Sequence, residues 1–162
     1  MLLVGDPDMQ GDIDWLLKWA ESGCNVVFAD ARFFRKNPEV LKLEAGKNAG
    51  LRDSVGTIYH HDHICTPHPL LEGLCKAGAI EFDRFGSVYP ECIFEGIEKT
   101  SRIACAALRI DASFTVPGLS VGEYDPGKGR LVLNNFRIFQ CIGEHPFVDM
   151  LLINTVKNHT KM

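Results

Sequence analysis

The densest run of chemically capable side chains in this sequence is His60-His61-Asp62-His63-Ile64-Cys65, followed by His68. Imidazole, carboxylate and thiolate all ligate zinc-type ions, so the run raises a metal site drawing on His61, His63, Cys65 and His68. Side chains alternate along an extended segment, which puts His61 and His63 on one face and His60 and Asp62 on the other. A closed site would therefore need a ligand from elsewhere in the chain. Residue type alone under-determines such geometry, and the reading adopted is a loop whose histidines bond to backbone or solvent, with no metal and no cofactor.

Nucleophilic catalysis is the second chemistry to weigh. A cysteine nucleophile on a sharp strand-to-helix turn would be flanked by glycines, and no Gly-x-Cys-x-Gly occurs. Cys24 sits at the start of a strand, Cys105 inside one, and Cys141 just after an apolar run, so each reads as core. Glycoside hydrolysis would need two carboxylates flanking the scissile bond. Glu91, Glu95, Glu123, Asp111 and Asp125 are available, but spacing along the chain does not pair any two of them. Each reads as a solvated or capping residue, and no catalytic residue is assigned. Pro126-Gly127-Lys128-Gly129 looks like a phosphate loop only superficially, since a hairpin turn accounts for it.

The elements that must position these groups follow from periodicity. Ile13, Leu16, Leu17 and Ala20 recur at helical spacing between Asp12, an N-cap, and Gly23, a stop. Strands are expected at Leu2 to Val4 and Val26 to Ala29 on either side of that helix, with β-prone runs at Val55 to Tyr59, Ala77 to Phe82 and Arg102 to Ile110. Leu119 to Tyr124 and Arg130 to Asn134 flank a turn-rich segment and should form an antiparallel hairpin. Short helices are expected from Pro38 to Ala45 and from His145 to Lys157, while His60 to Leu74 reads as loop. Strands alternating with helices argue an α/β fold: an open, mostly parallel sheet with helices on both faces. Trp15 and Trp19, one helical turn apart, are expected to bury against the core or a neighbouring domain.

Composition bounds the function. At 162 residues with 46% hydrophobic residues, the chain suits a single domain, 1–162, with one well-buried core. Lys and Arg form no basic stripe, which argues against nucleic acid, and no apolar run approaches the length of a membrane span. Six scattered cysteines with no Cys-x-x-Cys pair suit reduced thiols in a soluble, cytoplasmic protein. A strand opening at the chain start suggests a segment cut from a longer polypeptide.

Two segments resemble a known family. One is Ile58-Tyr59-His60-His61-Asp62-His63 running on to His68-Pro69-Leu70-Leu71-Glu72-Gly73-Leu74. The other is Gly127-Lys128-Gly129-Arg130-Leu131-Val132-Leu133-Asn134, with Phe136-Arg137-Ile138, Gly143, His145-Pro146 and Asp149 through Asn154. Together they are similar to the class I glutamine amidotransferase-like region found at the C-terminus of family 2-type, β-galactosidase-like glycoside hydrolases. The resemblance implies a flavodoxin-like fold without the amidotransferase cysteine nucleophile. It also implies a non-catalytic accessory role in carbohydrate metabolism, with sibling domains or identical subunits as partners and a homo-oligomer as one outcome. Where such relatives tend to carry Glu-Asn-Leu-Gly, this chain has Gln140-Cys141-Ile142-Gly143. The alternatives are a stand-alone small hydrolase or amidotransferase, or a metal-binding domain built on the His60 to His68 cluster.

Overall fold

In a computed structural model of the chain, residues 1–5, 14–53, 63–80, 88–90, 92–97, 102–111 and 114–160 are described. The side chains of residues 43–45, 53, 107–111 and 114–117 fall outside that description. The chain opens with β1 (Leu2–Val4), α1 (Asp14–Ser22) and β2 (Asn25–Phe28). It continues through α2 (Phe33–Lys36), α3 (Pro38–Ala45), β3 (Gly50–Asp53), β4 (His63–Cys65), a 3-10 turn at Pro69–Leu71 and β5 (Ala79–Ile80). Then come β6 (Cys92–Glu95), β7 (Arg102–Asp111), β8 (Phe114–Tyr124) and β9 (Arg130–Asn134), and finally α4 (Ile138–Cys141) and α5 (Pro146–His159).

Among the described residues the nine strands make one mixed sheet in the order β1-β2-β9-β8-β7-β4-β5, with β6 joining β8 and β3 joining β6. Only β1 with β2 and β2 with β9 run parallel. The remaining pairings are antiparallel. This corrects the expectation of a flavodoxin-like, mostly parallel sheet. The physical reason is local: β7 and β8 form one long hairpin, and β4 and β6 attach antiparallel to it, so the parallel portion stops at three strands.

The antiparallel β8–β9 hairpin is present, pairing Val121 with Asn134 and Tyr124 with Leu131. Its turn also finishes α1. Lys128 N–H donates to the Glu21 carbonyl at 3.1 Å and Gly129 N–H to that of Ala20 at 2.9 Å, satisfying carbonyls that a helix end leaves unpaired. The fit leaves no room for a side chain: a Cβ on Gly129 would stand 2.2 Å from the Cys24 carbonyl oxygen.

Alternation divides the core in two. Val26 and Phe28 of β2, with Leu131 and Leu133 of β9, face Leu16, Leu17, Phe33, Phe34 and Leu41 on one side. Val27, Ala29 and Val132 face Leu70, Phe136, Phe147, Val148 and Leu151 on the other. Helices therefore cover both faces, with α1 to α3 on one and α4 and α5 on the other.

Trp15 and Trp19 lie outside the core, 43% and 46% exposed and packed edge to face at 5.7 Å, because α1 turns Leu16, Leu17 and Ala20 inward instead. The segment read as loop from His60 to Leu74 contains a short strand, β4, held between β5 and β7. Asp12, Ile13 and the expected strand from Val55 to Tyr59 lie outside the described residues. Among the described residues no helix is long and apolar enough to cross a membrane.

Candidate functional site

Four parts of the chain converge on one buried carboxylate. Glu123, near the end of β8, is 2% exposed and lies directly opposite Arg102 of β7. Arg130 opens the neighbouring β9, His68 precedes the 3-10 turn, and His159 closes α5. Arg102 Nε donates to Glu123 Oε2 at 2.7 Å, and its Nη2 reaches Asp125 Oδ1 at 2.9 Å, so one guanidinium bridges two carboxylates. Arg130 Nε stands 3.4 Å and His68 Nε2 3.7 Å from the same Oε2.

His159 completes the set, with Nε2 3.0 Å from Glu123 Oε1 and Nδ1 2.9 Å from the Thr155 carbonyl. Burial alone would raise the pKa of Glu123. Donors from His159, His68 and Arg102, with the charge of Arg130, outweigh that and hold it well below the ordinary 4.5. An ionised Glu123 can only accept, so Nε2 of His159 is the donor in that bond.

The cluster borders open space. A cleft of about 430 Å³ is lined by Thr66, His68, Arg102, Ile103, Arg130 and Asn158, with Glu123 at its base. A second cleft of about 570 Å³ shares His68 and the prolines beside it and adds Cys65, Glu72 and Cys75. Cysteine, histidine and glutamate thus meet here, the residue types of a thiol triad.

The geometry does not support that chemistry. His68 Nδ1 accepts the Leu70 N–H at 3.3 Å, which leaves the proton on Nε2, facing Glu123. No nitrogen remains to take a proton from a thiol. The thiols are also suppressed: a hydrogen bond with Cys105 is the main cause that pushes the pKa of Cys65 up to about 12, and one with Cys65 pushes Cys75 up as well. Neither is a thiolate near neutrality.

The candidate metal ligands turn to different partners in the fold. His63 is buried, its Nδ1 2.8 Å from Ser120 Oγ and its ring tilted by 38° against that of Tyr89 with centroids 4.3 Å apart. Cys65 shares the buried side of β4 but turns its thiol to Cys105 at 3.8 Å, and His68 faces Glu123. His61 lies outside the described residues. Among the described residues no three His, Cys, Asp or Glu side chains are arranged to hold a metal ion.

Of the candidate carboxylates, Glu123 and Asp125 come together through Arg102, whereas Glu95 pairs with Arg52 on the β3–β6 ladder. Glu91 and the side chain of Asp111 fall outside the description. Arg102, Arg130 and His159 did not stand out in the sequence. The signal for Arg102 was the long β7–β8 hairpin, whose register sets it across from Glu123.

A smaller polar cluster sits where β2 and β9 end. Asp30, 7% exposed, accepts from Arg32 Nε at 3.0 Å and from Gln140 Nε2 at 3.2 Å. Burial raises its pKa, but these bonds outweigh burial and leave it lowered. A glutamate in place of Gln140 could make that bond only when protonated. The space between these groups, about 20 Å³, has room for one water. No protein-family model matches the chain, and none of the curated proteins matches it.

Proposed function

We propose that this chain is a non-catalytic accessory and interaction domain of a larger, cytoplasmic carbohydrate-active hydrolase. The family resemblance of its two long sequence segments supplies the association with glycoside hydrolysis. The observation that carries the non-catalytic part is the commitment of Glu123: one arginine bond, one imidazole bond and two further basic neighbours hold it ionised. A general acid must carry a proton near neutrality, and a carboxylate held in this way does not. Asp125 is tied to the same guanidinium, so these two carboxylates do not stand as a separate acid and base flanking an open bond.

Six scattered cysteines with no Cys-x-x-Cys pair agree with a reducing setting. Assays of the purified chain with glutamine, chromogenic esters and chromogenic glycosides test the proposal. The expected result is no turnover above buffer. Turnover that disappears in Cys75→Ser or Asp125→Asn would overturn it in favour of a stand-alone hydrolase or amidotransferase.

A further inference from the structure

A surface helix ordinarily keeps apolar residues on one face and polar residues on the other. α5 does not. Phe147, Val148, Leu151 and Thr155 are buried against the sheet, yet Met150, Ile153 and Val156 stand 42%, 45% and 40% exposed in a row spaced by three residues. Residues three apart are neighbours on a helix surface, so these three form one continuous apolar ridge. The Trp15–Trp19 pair belongs to α1 on the opposite side of the sheet and is not part of it.

Charge along the ridge says what covers it. Asp149 lies four residues before Ile153 and exposed Lys157 four residues after, with exposed Glu144 preceding the helix. A parallel neighbour would set Asp149 beside Asp149 and Lys157 beside Lys157. An antiparallel copy instead brings each Lys157 level with the partner copy's Asp149, and opposes the two helix dipoles favourably.

We infer that α5 is the contact helix of an isologous homodimer, packed antiparallel on the α5 of a second copy with Ile153 at the two-fold axis. This rests on the reading of the chain as an interaction domain and names its partner. The ridge from Met150 to Val156 is only about 9 Å long at 1.5 Å per residue. The contact is therefore smaller than the roughly 1,600 Å² of a standard interface, and the dimer forms reversibly with concentration.

Sedimentation velocity across concentrations from about 1 to 300 μM, a span chosen to bracket a micromolar equilibrium, tests it on the chain and two variants. Wild type should pass from monomer to dimer as concentration rises. Ile153→Asp should stay monomeric throughout with an unchanged thermal melt, since the position is half exposed. Lys157→Glu should weaken dimerisation about tenfold, a loss of roughly 1.4 kcal/mol. A wild type that stays monomeric, or a dimer indifferent to Ile153→Asp, would overturn the inference. Either result leaves the non-catalytic reading intact, because that reading turns on Glu123 and on turnover and not on association.

Discussion

Glu123 shows how far single residues can be read from sequence. The carboxylate was one of five candidates, and nothing in its neighbours along the chain distinguished it. What singles it out is long-range: partners 21, 36 and 55 positions away, supplied by a hairpin, a closing helix and a capping turn. Removing it leaves the Arg102 and His159 donors without their buried acceptor, with exposed Asp125 still beside the two arginines, so Glu123→Ala should cost about 3 kcal/mol of stability. The pH dependence of that cost has a definite sign. Because the folded pKa lies below the ordinary 4.5, the unfolded chain takes up the proton first as pH falls. The stabilisation is full above the unfolded value and is lost as pH falls toward the folded one. Urea midpoints of wild type and variant should therefore differ by a constant amount from about pH 7 to pH 5, and the gap should narrow on further acidification.

At the scale of elements, the legible parts were those with local signatures. Pro38 and Pro146 mark the first turns of α3 and α5, and Asp125-Pro126-Gly127 marks the β8–β9 turn. The order and sense of the strands were not legible. A continuous apolar run such as Val26-Val27-Phe28 shows that a strand is covered on both faces, but not whether its neighbours run parallel. The antiparallel half of the sheet follows from the β7–β8 hairpin, and that depends on register between distant residues. The contact between the β8–β9 turn and the end of α1 links the two halves of the fold. Gly129→Ala would drive a methyl group into the Cys24 and Ala20 carbonyls, the second of which accepts the Gly129 N–H at the helix end. A loss of about 2 kcal/mol in denaturant unfolding is expected. A variant as stable as wild type would show that the turn does not fasten the helix.

For the molecule as a whole, chemistry turned inward and apolar surface turned outward point the same way. Glu123 and its basic partners hold four elements together, while the outer faces of α1 and α5 carry exposed apolar side chains. The resemblance implies a fold that is not the one found, so the non-catalytic part of the proposal rests on the site itself. The central claim is that Glu123 is a fixed counter-charge rather than a proton donor. The most direct measurement is the ¹³C chemical shift of the Glu123 side-chain carboxylate in the intact chain, followed from about pH 8 to pH 4, either side of an ordinary glutamate midpoint. The account predicts the ionised shift across the whole range. A midpoint between about pH 5 and pH 7, where catalytic carboxyls titrate, would contradict it.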